Sequence, residues 1–244
     1  VSSLSINYIN MALNLIYKFN DQLLAQTNYS MVYIDDLAKR LSNTLYVDDQ
    51  ITAFLNSDSD DVMVTIRALQ RVQKHILPLN YVESIYLYNA NRDLIISSKT
   101  GELVSSENFY DKDMVTYIKT NTRNTSAPLY HVVEKEQKKS LCSYVIFDTN
   151  SQNPDLLNAI VINVDASVLT KSIQEITKYQ NENNSEYIII DEKGNLLEST
   201  IRLTDNEKEV LLKSISPVLT DNESTGISSV KIRDTNYMLS LNNN

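Results

Sequence analysis

The same sixteen-residue pattern occurs twice in this chain, once over Glu83 to Ser98 and once over Ser185 to Thr200. Each copy is a β-branched or aromatic run, a short polar turn (Asn89 to Asp93; Asp191 to Asn195) and a second apolar run ending in Ser or Thr, which is the signature of a hairpin. The stretch after each hairpin repeats too. A segment of helical period (Phe109 to Lys119; Asp205 to Ile215) leads into two more strand-like runs, Leu129 to Glu134 with Leu141 to Asp148, and Ile227 to Arg233 with Tyr237 to Leu241. Strand, strand, helix, strand, strand is the order of a small antiparallel sheet with a helix on one face. The fold class expected is therefore α+β, with two such modules in tandem.

Only three glycines are present among 244 residues, so no stretch can form the glycine-rich phosphate cradles of nucleotide sites. One cysteine, Cys142, lies within an apolar run, and the two histidines, His75 and His131, are far apart in sequence. Neither a disulfide framework nor a clustered Cys/His metal site is available, and no cofactor or metal is expected. The net charge of −9 with no basic cluster argues against a nucleic-acid partner, because neutralising phosphates requires Lys and Arg gathered on one face. The run Asn56 to Asp61 imitates the opening of a calcium loop, but Asp61 stands in the glycine place and Arg67 in the closing glutamate place. It reads instead as an acidic helix N-terminus. No apolar run reaches the roughly 18 residues needed to span a membrane. The chain opens at Val1 without an initiator methionine and stops in Asn242 to Asn244 directly after a strand, as expected of a piece of a longer protein.

From Ser5 to about Leu45, Ile6, Ile9, Leu13, Ile16, Leu23, Ile34, Leu37 and Leu41 fall in one 3-4 spaced series, which predicts a single long amphipathic helix. It is expected to cover its own protein's core and to add a parallel dimer seam along Ile6 to Leu23. After a break at Asp48-Asp49, a second helix is predicted from Ser59 to Leu77, stopped by Pro78. The expected boundaries are 1–80 for the two helices, 81–165 for the first module, 166–184 for a connecting helix and 185–244 for the second module. That second module lacks a counterpart to the strand Leu157 to Asp165 that closes the first.

Strand alternation sorts the faces of the first module. Ile160, Ile162 and Val164 share one face, and Ala159, Val161, Asn163 and Asp165 the other; Ile85 and Leu87 alternate with Ser84, Tyr86 and Tyr88. The face with Asn163, Asp165, Tyr86 and Tyr88 is expected to look toward the segment from Ser97 to Asn121, where aromatics with a few fixed polar groups form a small-molecule site. Asp111 and Asp113 are the nearest acidic pair for an enzyme. Two-apart residues of a helix point to different faces, so both are expected to face solvent and no catalysis is expected.

The whole arrangement resembles the double Cache domain, the tandem PAS-like extracellular sensor of bacterial transmembrane receptors. The hairpin Val82 to Ser98, the run Asn108 to Asp113, Ser126-Ala127-Pro128 before a strand, and the passage Ile160 to Leu169 carry the resemblance. The Asn-rich, Gly-poor wording is also similar to sensor regions of Gram-positive histidine kinases and of membrane-bound AraC-type regulators. The resemblance implies a membrane-distal module that binds a ligand, a membrane-proximal one that transmits force, flanking membrane spans, and a parallel homodimer on the extracellular side. Amino-acid-binding members carry a Tyr, an Arg, a Trp-Tyr pair, a Pro-Tyr strand start and an Asp at the end of the fifth strand. Here the Trp-Tyr places hold Phe109 and Tyr110, the Asp is Asp165, and Pro128 precedes Leu129 and Tyr130, while Glu107 stands for the Arg and Glu102 for the leading Tyr. The implied site is Tyr86, Tyr88, Phe109, Tyr110, Tyr130, Asn163 and Asp165. Loss of the Arg clamp favours a cationic or uncharged ligand over an α-amino acid. The competing readings are the ectodomain of a membrane-bound AraC-type regulator or chemoreceptor, and a non-sensing surface adhesion module of similar fold.

Overall fold

In a computed structural model the described residues are 3–121, 128–134, 138–148, 157–168, 188–190, 196–199, 201, 203–220, 228–232 and 235–239. The chain divides into two compact units, residues 34–168 and residues 1–33 with 169–244. Helix α1 runs from Ser3 to Tyr46, about 66 Å at roughly 1.5 Å per residue.

In the unit of residues 34–168, Ile34, Ala38, Leu41 and Leu45 are buried. This half of the 3-4 series therefore packs on its own protein. Where two helices are expected over residues 1–80, there are three. The break at Asp48-Asp49 is a cap: the Asp48 carboxylate accepts from the Gln50 amide (3.0 Å) and opens α2 (Asp49–Leu55). Ile51, Phe54 and Leu55 recur at helical spacing and are buried, enough to hold a seven-residue helix that could not stand alone. Asp48 also binds Arg71 Nε (2.7 Å) and His75 Nε2 (3.2 Å) of α3 (Val62–Ile76). Burial pushes its carboxyl up, but these partners outweigh that and hold it below the usual aspartate range. The acidic run does open α3, with Asp61 accepting from the Met63 amide at 2.8 Å.

The sheet of this unit has six antiparallel strands in the order β3-β2-β1-β6-β5-β4. These are β1 (Val82–Asn89), β2 (Leu94–Ser97), β3 (Leu103–Ser105), β4 (Leu129–Glu134), β5 (Lys138–Phe147) and β6 (Ala159–Asp165). The β1-β2 hairpin turns through Asp93, whose φ of 51° places it in the left-handed region. Strand β3 goes beyond the sequence reading. Gly101, at φ 69°, lets the chain reverse into it.

Both sheet faces are buried. One carries Ile85, Leu87, Ile96, Cys142, Tyr144, Ile160, Ile162 and Val164, and the helices pack there: Tyr46 donates to the Ile146 carbonyl (2.9 Å), and Asn89 Nδ2 to the carbonyls of Phe54 and Ser57 (2.8 Å each). The other face carries Tyr86, Tyr88, Ile95, Val145, Phe147, Ala159 and Val161, packed against Phe109 and against Met114, Val115 and Ile118 of α4 (Lys112–Thr120). Each fully buried large side chain contributes about 1.5–3 kcal/mol of burial energy.

Among its described residues the other unit contains two antiparallel pairs, β7 (Ile188–Ile190) with β8 (Leu196–Ser199) and β9 (Ser228–Ile232) with β10 (Thr235–Leu239). Helix α5 (Asp205–Thr220) packs on β9. It opens with a capping box: the Thr204 amide donates to Glu207 Oε2 (2.7 Å) and the Glu207 amide to Thr204 Oγ1 (3.4 Å). The expected turn Asp191 to Asn195, the connecting helix beyond Val168, and Arg233 and Asp234 lie outside the described residues. No helix among the described residues is long and apolar enough to cross a membrane.

Candidate functional site

On the sheet face beneath α4, side chains change from apolar to polar along the strands. Val161, Val145 and Phe147 belong to the apolar cluster. One residue pair further along β6 and β5 stand Asn163 and Ser143, which face each other in register, with Ser84 opposite Asn163 on β1. Asn163 is fully buried; its Oδ1 accepts from Ser143 Oγ (2.6 Å) and its Nδ2 donates to Ser84 Oγ (2.9 Å). A side-chain amide buried in such a layer survives only with its polar atoms paired.

Above this row sits the turn that leads into α4. Phe109 packs edge-on to Tyr86 (centroids 4.9 Å) and tilted on Tyr110 (4.5 Å). The Tyr110 hydroxyl donates to the Tyr86 hydroxyl (3.0 Å) and lies 3.4 Å from Ser97 Oγ. Burial, then the neighbouring Tyr110 and the Asp111 carboxylate, push the Tyr86 phenol far above its ordinary value, so it stays protonated.

Asp111 is buried, against the expectation of a solvent-facing acid, whereas Asp113 is exposed. The reason is its place: it precedes the helix as N-cap, with Oδ1 accepting from the Met114 amide (3.1 Å). Its Oδ2 lies 3.0 Å from His131 Nε2, and both side chains are buried, the histidine 5% and the aspartate 2% exposed. His131 Nδ1 has no partner. An unpaired buried acceptor or donor costs about 1–3 kcal/mol.

Asp165 lies at the rim, with Oδ1 accepting from the Ser167 amide (2.9 Å) and Oδ2 from Lys139 Nζ (2.9 Å). Burial pushes its carboxyl up, but the bonds from Ser167 and Lys139 prevail and hold it below the usual aspartate range. Lys139 also binds Glu83, which a bulge between Val82 and Ser84 frees from the ladder and which takes Lys99 as well.

Of the seven residues expected at the site, Tyr86, Phe109, Tyr110, Asn163 and Asp165 lie along this polar end. Two do not. The Tyr88 hydroxyl donates to Asp93 Oδ1 (3.0 Å) at the hairpin turn, one pleat repeat away from Tyr86. Tyr130 pairs with Cys142 in the ladder and so lies on the helix-covered face, while its neighbour His131 points to the site. Ser84, Ser97, Asp111, His131, Lys139 and Ser143 go beyond the sequence reading. Asp111 carried a signal, an acid just ahead of a helical run. His131 carried none, since only the β4-β5 register decides which of two adjacent residues faces α4.

No family model matches the chain, and no curated protein matches it. Solved structures do. The extracellular domain of the histidine kinase vpHK1S-Z8 is 14% identical at a TM-score of 0.57, with 95% of this chain and 94% of that one covered. The fold of this chain is that of this extracellular domain. The ligand-binding domain of the Campylobacter jejuni chemoreceptor Tlp3 in complex with 4-methylisoleucine is 12% identical at a TM-score of 0.47, covering 90% of this chain and 85% of that one. The sensory domain of the same receptor with isoleucine bound is 15% identical at a TM-score of 0.40, covering 90% and 87%.

Proposed function

We propose that this chain is the extracellular ligand-sensing part of a transmembrane receptor, foremost a sensor histidine kinase, and that it has no catalytic chemistry of its own. In this reading two PAS-like modules stand in tandem, and the one with the six-stranded sheet takes a small molecule at the polar end beneath α4. The observation that carries the reading is that buried polar end. Ser84, Asn163, Ser143, Tyr86, Tyr110, Asp111 and His131 converge there from five strands and turns inside an otherwise apolar layer. Such a constellation is the usual form of a specific small-molecule site. The near end-to-end likeness in fold to a histidine kinase extracellular domain supports the extracellular placement, with membrane anchors outside this segment. Arg71 and Arg92 are engaged by Asp48 and Asp60, away from the site, which favours a cationic or neutral ligand over one that needs a carboxylate clamp.

A parallel homodimer belongs to the same reading. Met11, Leu15, Tyr29 and Val32 are exposed on α1 and fall, with Lys18, Gln22 and Ala25, in one 3-4 series, the spacing of a helix-helix seam. That series is distinct from the one holding Ile34 and Leu41.

The deciding experiment is a thermal-shift screen of amino acids, amines, sugars and nucleobases. A ligand at about 100 times its dissociation constant stabilises the fold by about 2.7 kcal/mol. A stabilising compound whose effect vanishes in Tyr110→Ala and Asn163→Leu supports the site. Stabilisation unchanged in both variants overturns it.

A further inference from the structure

We propose that the ligand presents an ammonium group to Nδ1 of His131, and that Asp111 is the positioning residue that fixes the ring for this contact. The proposal rests on the site described under the proposed function and deepens it by naming the recognised group.

An ionised carboxylate only accepts hydrogen bonds, so in the 3.0 Å contact with Asp111 Oδ2 the hydrogen belongs to His131 Nε2. In the neutral form of the ring, Nδ1 then carries a lone pair. The carboxylate is itself immobilised by the Met114 amide, so the ring is held from behind as metal-binding imidazoles are held by their outer partners. Among the described residues of this sheet face, Nδ1 is the buried side-chain nitrogen or oxygen with no partner. The neighbouring acceptors are engaged: Asn163 Oδ1 by Ser143, the Tyr86 hydroxyl by Tyr110, and both Asp165 oxygens by Ser167 and Lys139.

Charge selects the donor. Among the described residues, the formal charge in contact with the ring is the Asp111 carboxylate, and the rim groups Glu83, Asp165, Lys99 and Lys139 are two acids paired with two bases. A ligand carboxylate would have to displace one of those pairs, and it would meet a lone pair at Nδ1. An ammonium donates to Nδ1 and is drawn by Asp111. The strand-end Asp165, the obvious carboxylate from sequence, is held by its lysine.

The test uses the 244-residue chain with 15N-labelled histidine. Two histidines are present, and a His75→Asn variant assigns the signals. Long-range proton-nitrogen spectra of the free protein are expected to show His131 protonated at Nε2 and unprotonated at Nδ1; the opposite tautomer, or a ring protonated at both nitrogens, overturns the proposal. The probes are ethanolamine, isoamylamine and putrescine, each against its hydroxyl counterpart (ethylene glycol, isoamyl alcohol, butane-1,4-diol), with L-leucine alongside. At least one amine is expected to raise the melting temperature and shift the Nδ1 resonance, while its hydroxyl counterpart does neither. His131→Gln places an amide at the Nε2 position and keeps the Asp111 bond, so it is expected to melt cooperatively with amine affinity lowered at least tenfold. Asp111→Asn should mix the two tautomers in the spectrum and weaken the amine less. Binding of a probe with an unmoved Nδ1 and an unaffected His131→Gln overturns this inference and leaves the site standing. If no amine stabilises the chain while a sugar or nucleobase does, this inference falls and the site stands; a chain that no compound of either set stabilises overturns both.

Discussion

Replacing Asn163 by Leu keeps the branched shape of the side chain and removes the polar centre of the site. The substitution deletes two hydrogen bonds, to Ser143 (2.6 Å) and Ser84 (2.9 Å), in a position of zero exposure. Each bond contributes about 1 kcal/mol, and a hydroxyl left unpaired in the interior costs about 1–3 kcal/mol more. Ser84 keeps the Tyr86 phenol as a partner, so the stranded group is Ser143. The expected loss is about 3–5 kcal/mol after allowing for both terms. Changing all three residues together, Ser84→Ala, Asn163→Leu and Ser143→Ala, leaves no stranded hydroxyl and should recover more than half of the loss. Urea unfolding followed by circular dichroism gives the midpoint, with an unchanged slope as the check that the unfolded state is unaltered. Because the chain has two compact units, hydrogen exchange at β1 and β6 amides supplies a local measure of the same loss. A single variant within about 0.5 kcal/mol of wild type, or a triple variant no more stable than the single, would refute the view of Asn163 as a fully paired buried amide.

Alkaline pH should destabilise the unit of residues 34–168 in stages. Burial pushes the Cys142 thiol up to about 11 from its ordinary 9.0, so its contribution is complete below pH 9 and is lost between about 9 and 11, for about 2–3 kcal/mol; Cys142→Ala should abolish that stage in a pH series of urea midpoints. Acid should act in the opposite sense. Asp48, Glu83 and Asp165 are held below their ordinary values, so their stabilisation is present above pH about 4 and fades below it, and Lys139→Met should move the acid midpoint upward. Tyr88→Phe and Tyr130→Phe should leave the affinity of any screened ligand within about twofold, since neither hydroxyl belongs to the site, and a larger loss with Tyr130→Phe would show that the two sheet faces are misassigned. Gly101→Ala should cost about 1 kcal/mol by thermal melting, because a Cβ there meets Leu69 Cδ2 at an ordinary 3.5 Å and only the φ of 69° is strained.

Much of this chain was determined locally. The alternation of Ile85 and Leu87 with Tyr86 and Tyr88 fixed two faces of β1, because a pleated strand repeats every second residue whatever surrounds it. The 3-4 series fixed α1, and the paired hairpin patterns fixed the α+β class. The polar end of the sheet was partly legible for the same reason: Asn163 and Asp165 share the parity of Val161, and Phe109 and Tyr110 precede an evident helix. What alternation leaves open is which face of one strand continues which face of the next. That depends on the β4-β5 register, which put His131 rather than Tyr130 over the site. The helix entry decided Asp111, because an acid one residue outside a helix turns its carboxylate back onto the first amides instead of out to water. Asp165 was the group most visible in sequence and the one most changed by its surroundings, since Lys139, two strand positions before Leu141 on the same face, reaches it only once β5 and β6 are paired. Periodicity is a property of the backbone and survives in a string of letters. The partners of a buried polar atom are a property of packing, and only the folded chain assigns them.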